Sequence, residues 1–273
     1  MPTQNTLKKN SLFSIRELFK KSYQFYSENF KNLILIMLLA YAPIAILDII
    51  TKKISASAII MGDNSMVILL SAIILLLLLG MPVLTIANQI ALIYFIDKKS
   101  SIKESYLAVK KYFFSYLFIS IILLIITKGS SLLLSTFSNS ISDFLIKNVS
   151  SKALVITLLT LIFLAILILL VYVITKLLFS FIILIVENLK GMQVLKRSRT
   201  IIGIYWQEAA IRFVALLLAF AIINRIFAYI ANMIPSFPFS YYIAYLISAL
   251  PFIFLIPFAL IFVYTLYKNL CEI

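Results

Sequence analysis

The chain has 273 residues, of which 63% are hydrophobic and 12% charged, and its mean hydropathy is +1.11. A soluble domain is nearer half apolar and a quarter charged, so no water-facing fold of this length buries so much hydrocarbon, and the solvent has to be lipid. Histidine is absent, which removes histidine-based acid–base, nucleophilic and metal chemistry, and the single Cys271 forms no internal disulfide and reads as an inert cytoplasmic thiol.

A polar, basic leader opens the chain. It lacks the short apolar core and small-residue cleavage site of a secretory signal, so the first apolar run is expected to remain as a spanning helix. Within the leader, Leu12, Ile15, Phe19, Tyr23 and Tyr26 recur at helical spacing, while Arg16, Lys20, Lys21 and Gln24 fall elsewhere on the wheel. That pattern suits an amphipathic helix lying in the membrane interface. Long apolar runs follow at 30–50, 66–96, 112–134, 153–186, 204–231 and 241–267. A crossing takes about 20 residues, so six spans are predicted. The third is interrupted by Lys128 and Gly129; it ends at Thr127 or runs on through Leu134. Residues 130–151 are rich in Ser and Asn and read as a longer external loop.

Two of the runs are too long for a bilayer. At 1.5 Å per residue, 66–96 and 153–186 measure about 46 and 51 Å against a hydrocarbon core of about 30 Å. Gly80-Met81-Pro82 offers a break in the first. The second contains neither Gly nor Pro and is predicted to extend past the membrane. Pro251 and Pro257 predict kinks in the last span.

The basic segments before alternate spans are alike: SIRELFKKSYQFY from Ser14, SIKESYLAVKKYFFSY from Ser101 and GMQVLKRSRTIIGIYW from Gly191. Aligning Lys20-Lys21, Lys110-Lys111 and Lys196-Arg197 gives spacings of 90 and 86. In the second, Ile102, Tyr106, Val109 and Phe113 share a helical face; in the third, Met192, Leu195 and Ile202 do, with Arg199 intruding. The expected fold is all-α: a polytopic membrane protein of about six transmembrane helices in three repeats of an interfacial helix plus a helical hairpin. The repeats cover about 11–97, 98–188 and 189–273 of a single integral membrane domain, 1–273. The competing view makes each basic segment the solvated start of a long spanning helix.

Six spans put both termini on one side, and the cations sort accordingly. Of 24 Lys and Arg, sixteen lie on the side of the termini, five in the opposite loops, and Lys176, Arg212 and Arg225 within apolar runs. Cytoplasmic loops carry the Lys/Arg excess, so both termini are expected in the cytoplasm of a multi-pass cell (inner) membrane protein. The net charge of +14 is then a topology signal. Its spread over short juxtamembrane segments argues against nucleic acid and for anionic lipid headgroups as the partners. The wealth of Ile, Lys, Asn and Ser points to a bacterium with an AT-rich genome.

Charges inside spans are costly and mark functional candidates. Asn88, Gln89, Lys176, Glu208 and Arg212 stand at comparable depth and would form an inner-leaflet polar cluster suited to an anionic headgroup or small anion. The bland alternative is a structural Glu208–Arg212 pair at i, i+4, with Arg212 snorkelling. Lys196, Arg197 and Arg199 are candidate headgroup contacts; Arg197 alternatively binds Glu187 or the exposed carbonyls of the preceding helix. Asp48 and Arg225 are a candidate outer pair. No GxxxxGK[ST], HExxH or CxxC occurs, and no cofactor or metal is expected.

Glu187 closes a long helix, Leu195, Arg197 and Ser198 follow, and Gly203 precedes Trp206. Together with ELFKKSYQFYSENFKNLI before Pro43, and with Pro257 and TLYKNLCEI at the end, these residues resemble the membrane domain attached to some bacterial glycerophosphoryl diester phosphodiesterases and its stand-alone multi-pass relatives. Val194 and Arg199 depart from the small and aromatic residues of that pattern, and Lys268-Asn269 from its acidic-basic tail. The resemblance implies fold and location. The family's hydrolase is a separate soluble barrel with catalytic His, for which this chain has neither the residues nor the room. The expectation is therefore a non-enzymatic membrane protein with a scaffolding, lipid-organising or envelope-maintenance role. The alternative is a transporter or permease component for a small anionic or lipid-like substrate, favoured by internal repeats; a membrane-embedded lipid enzyme is the third class.

Overall fold

A computed structural model describes residues 12–61, 64–148, 152–234 and 240–273. The regular structure among them is helical: α1 Ile15–Glu28, α2 Phe30–Met61, α3 Asn64–Lys98, α4 Ile102–Asn148, α5 Lys152–Leu177, α6 Ser180–Val186, α7 Met192–Ile202, α8 Trp206–Asn232 and α9 Ser240–Cys271, with a 3-10 turn at Gly203–Tyr205. Among the described residues, six stretches are long and apolar enough to cross a bilayer: Phe30–Thr51, Leu70–Lys98, Ile102–Gly129, Leu154–Val186, Met192–Asn232 and Leu246–Cys271. Leu75, Leu76, Leu78 and Leu79 are all more than half exposed, and the stretch 67–79 of α3 has no charged residue on any side. A helix apolar all round belongs in hydrocarbon, where only closed hydrogen-bond ladders survive. The chain is an all-α, multi-pass membrane protein.

Two helix starts share one device. Ser14 and Glu17 form a reciprocal capping box on α1: the Glu17 amide donates to the Ser14 hydroxyl, and the Ser14 amide donates to the Glu17 carboxylate at 2.8 Å. Ser101 and Glu104 repeat it on α4, the Ser101 amide donating to Glu104 at 3.2 Å and the Glu104 amide to Ser101 at 3.3 Å. Each box satisfies two amides that the first turn leaves without helical partners. The caps align Lys20-Lys21 with Leu107-Ala108, one turn short of Lys110-Lys111, so caps and basic pairs give two different registers. The third segment starts at Gly191 without a side-chain cap.

The three basic segments also behave differently. The face of α1 that the structure buries carries Leu18 and Ser22, flanked by Phe19 and Tyr26, whereas Tyr23 is 65% exposed. That face runs antiparallel along an aromatic stripe of α9. Phe19 meets Phe262 and Phe258 at 5.0 and 5.9 Å, Tyr26 meets Phe258 at 5.9 Å, and Phe30 stacks on Phe254 at 6.1 Å. The expected interfacial helix therefore packs its buried face along α9. The second segment is continuous with its span, because α4 is a single helix of 47 residues, about 70 Å long at 1.5 Å per residue. The third segment, α7, is a short separate helix of 11 residues between turns at Gly191 and Gly203.

The external loop expected at 130–151 is helical as far as Asn148, beyond which 149–151 lie outside the described residues. Leu132, Leu133, Phe137, Ile141, Phe144 and Leu145 hold the helical period through the Ser/Asn-rich stretch, and Thr136 folds its hydroxyl onto the Leu132 carbonyl at 2.9 Å. Small hydroxyl residues in a turn-rich composition are neutralised by this back-bonding. Expectations for the two long runs are reversed as well. Helix α3 passes through Gly80 and Pro82 unbroken, and the helix breaks in the run that has neither residue, between α5 and α6. Pro251 and Pro257 lie inside an unbroken α9.

The chain packs as two compact units, Met1–Phe113 with Val214–Ile273, and Phe114–Phe213. The first has a core of Leu33, Ile36 and Met37 from α2, Leu92 and Phe95 from α3 and Ile261 from α9, all at most 2% exposed. The spacing i, i+3, i+4 on α2 is what brings its three to one face. The core lies toward the ends of α2, α3 and α9 nearest the termini. In the second unit, Phe179 and Ile182–Ile185 of the α6 region are buried with Val194, Leu195, Ser198 and Ile202 of α7, and Tyr116 stacks on Phe181 at 4.2 Å.

Candidate functional site

The helix break of the second unit, between α5 and α6, carries a set of linked polar contacts. Thr175 is fully buried and turns its hydroxyl onto the Val171 carbonyl at 2.7 Å. The Leu178 amide then reaches back three residues to Thr175 at 3.1 Å, and Phe179 sits at φ −89°, ψ 0° before α6 begins. A tightened last turn leaves carbonyls of α5 without helical partners. One of them, on Lys176, accepts the Ser198 hydroxyl of α7 at 2.9 Å. In return the Lys176 ammonium leaves α5 and donates to the carbonyl of Gly203 at 2.6 Å, where α7 ends. Each helix therefore closes the C-terminal end of the other. A cation at a helix C-terminus is also favoured by the helix dipole. The Lys176 ammonium lies 5.5 Å from the ring centre of Tyr172, which in turn meets Trp206 edge-on at 5.0 Å.

The turns around α7 are built to hold this geometry. Asn188 at φ 55° and Gly191 at φ 57° reverse the chain after α6, and Gly203 at φ 42°, ψ −119° turns it into the 3-10 segment. Gly203 has open space where a Cβ would stand, so backbone conformation and not crowding demands glycine there. Arg197 spans the first turn, its Nε donating to Glu187 at 2.9 Å. Of the two bonding choices expected for Arg197, the bond to the Glu187 carboxylate is present. Arg197 and Glu187 side chains are 47% and 23% exposed, so this pair is a surface clamp of modest strength.

The structure distributes the sequence-derived candidates over both units. Lys176 is taken up by Gly203 as described. Arg212 donates to the main-chain carbonyl of Glu208 at 2.9 Å, and the Glu208 side chain is exposed. Asn88 and Gln89 belong to the first unit. Asn88 is 1% exposed; its amide donates to the Met37 sulfur at 3.2 Å, and the Tyr106 hydroxyl reaches its oxygen at 3.5 Å while donating to the Ile36 carbonyl at 3.0 Å. Gln89 is half-buried beside it on α3. Lys196 and Arg199 are exposed, as a headgroup contact requires. The face of α7 beneath them is Val194, Leu195, Ser198 and Ile202; Met192, expected in that face, is 55% exposed. Arg225 is exposed on α8, and the side chain of Asp48 lies outside the described residues.

One site escaped the sequence reading. Asp97, near the end of α3, is only 6% exposed in its side chain. The Tyr264 hydroxyl donates to it at 2.9 Å, and Lys98 and Lys268 ammoniums stand 3.0 and 3.9 Å away. An acid at a helix C-terminus opposes the dipole, so neighbours have to hold it there. The available signal was Tyr264 and Lys268 at i, i+4 on one face of α9. Next to it, the Asn269 side chain accepts the Phe13 amide at 2.7 Å and ties the two ends of the first unit together. Lys268 and Asn269, which depart from the family-like tail, thus each have a structural task.

Chemically, the α5–α7 arrangement offers an ammonium, a hydroxyl and two carbonyl oxygens, all turned on one another. Among the described residues no three of Cys, Asp and Glu gather in one place. Compared with known proteins, the chain matches no family model, no curated protein and no solved structure.

Proposed function

We propose that this multi-pass protein is non-enzymatic, resides in the cell membrane with both termini in the cytoplasm, and has a scaffolding, lipid-organising or envelope-maintenance role. The observation that supports this reading is the use of Lys176. A cation within a span is the first place to look for a substrate contact, and this one is engaged in closing α7 through Gly203. Lys196 and Arg199, exposed beside a clamped Arg197, suit contact with anionic headgroups, each cation being worth about 1 kcal/mol near such a surface. The short motif around Leu195, Arg197 and Ser198 fits the same family resemblance that its residues suggested, and in that family the membrane part accompanies a hydrolase without supplying its chemistry.

A second reading, a transporter component for a small anionic or lipid-like substrate, draws on the broken α5–α6 span, since transporters use discontinuous helices at their binding sites. Here the freed carbonyl of Lys176 is met by Ser198, which favours the first reading. Proteoliposomes separate the two. Tracer flux of inorganic phosphate and of a fluorescent lipid at the rate of empty vesicles is expected. Protein-dependent flux would sink the structural reading.

A further inference from the structure

Toward the end of the first unit away from the termini, a cavity of about 530 Å³ opens between α2, α3 and α9. Its walls include Tyr41, Ala45, Met81, Ala249 and Ile253, and among the described side chains no charged one lines it. Nearer the termini the same helices are filled tightly by Leu33, Ile36, Met37 and Ile261. Here alanines stand around Pro43 and Pro251, and the small side chains leave the space unfilled. The mouth is apolar as well: Ile46 and Phe252, which also line it, are 57% and 52% exposed. Ordinary ligand sites occupy about 300–1,000 Å³ and are mostly apolar with a few polar groups; this one has almost none.

Depth identifies the occupant. Residues 41–49 lie about 16–28 Å along α2 from Phe30, Met81 about 25 Å from Lys98, and Ile253 about 27 Å from Cys271. With a hydrocarbon core of about 30 Å, all three helices place the cavity in the half of the bilayer opposite the termini. Its mouth therefore faces acyl chains, and water is excluded on both sides. An unfilled apolar space forfeits its dispersion contacts, and the adjoining medium supplies chains that restore them. We propose that this cavity is a binding site for one hydrocarbon chain of a membrane lipid from the leaflet opposite the termini, recognised by its chain and not by its headgroup.

The proposal deepens the lipid-organising reading, but it rests on the cavity alone and is tested apart from Lys196 and Arg199. The full chain is reconstituted in phosphatidylethanolamine–phosphatidylglycerol vesicles carrying a trace of phospholipid with a mid-chain diazirine, and adducts are mapped by peptide mass spectrometry after irradiation. Adducts at Tyr41, Ala45 or Ala249 are expected at least fivefold above those at Leu164, which faces the bilayer from α5 with 50% exposure. Ala45→Phe and, separately, Ala249→Phe fill the space and are expected to lower the cavity adducts about tenfold while Leu164 labelling stays constant. Cavity labelling no greater than that at Leu164 overturns the proposal, and so does labelling that persists in both variants. The comparison within the unsubstituted chain decides the matter even where a variant fails to fold. Failure here leaves the anionic-lipid preference of Lys196 and Arg199, measured separately, untouched.

Discussion

The Ser198 hydroxyl and the Lys176 carbonyl, 22 residues apart in the chain and on different helices, are joined by a hydrogen bond of 2.9 Å. Ser198 is fully buried, so its loss leaves a carbonyl at a helix end with no water to replace the donor. Ser198→Ala should cost about 1–3 kcal/mol, the usual penalty for a buried group left unsatisfied. Lys176→Met should cost a comparable amount through the Gly203 carbonyl. The double variant should lose less than the sum, because both changes loosen the same α5–α7 contact. Thermal unfolding in detergent measures all three; strict additivity would refute the reciprocal cap.

Arg197 differs from its basic neighbours. With its Nε 2.9 Å from Glu187, Arg197→Gln should lower stability by up to about 1 kcal/mol, as expected for a half-exposed pair. Lys196→Gln with Arg199→Gln should leave detergent stability unchanged and weaken retention of phosphatidylglycerol during purification. Equal effects of the two sets on stability would remove the distinction.

Asp97 should matter more than its position beside Lys98 and Lys99 suggests. Asp97→Ala removes the acceptor of the Tyr264 hydroxyl and the counter-charge of Lys268, both on α9, and of Lys98 at the end of α3. A hydrogen bond to a charged group is worth about 1.5–3 kcal/mol, and the lower part of that range applies because both lysines are about half exposed. Tyr264→Phe should reproduce much of the loss. A stability equal to that of the parent chain in both variants would reduce the cluster to a surface contact.

Topology has a direct test. In a Cys271→Ser background, cysteine at Ser140 should react with an impermeant thiol reagent applied to intact cells. Cysteine at Ser101 or Lys196 should react only after permeabilisation. The reverse pattern would invert the assignment of the termini to the cytoplasm.

The Ser14 bonds hold the Glu17 carboxyl below its ordinary value of 4.5, first through the Ser14 amide and then through its hydroxyl. A carboxyl with a depressed value in the fold contributes its stabilisation in full above the ordinary value and loses it as pH falls through the depressed one. Amide protection at the start of α1, measured relative to intrinsic exchange at each pH, should therefore fall as pH drops below 4.5. Ser14→Ala, which removes the hydroxyl but keeps the amide bond to Glu17, should move that loss part of the way back toward the ordinary carboxylate value and weaken the helix start. An identical pH dependence in both chains would show that the box does not form.

Much of this architecture was legible in the sequence because a bilayer makes it a local matter. Hydrocarbon leaves a spanning segment no choice but to pair its own backbone, so apolar length alone announced six helical crossings between Phe30 and Cys271. The candidate role of Arg197 was also readable, since Glu187 precedes it by one short turn and helix.

Helix ends were another matter, because what stops a helix in lipid is the presence of a partner for the groups it frees. Pro82 costs α3 one amide and no more, and the helix runs on. Leu178 and Phe179 carry no breaking signal, yet the helix stops there because Ser198 and Gly203, brought up by the turn at Gly191, supply the donor and the acceptor that the break requires. The same holds for α1, whose amphipathic pattern announced a buried face but not its cover: the aromatic stripe of α9 provides it. Composition and period decided how many helices cross the membrane, and contacts between residues far apart in the chain decided where each one ends and what its polar groups touch.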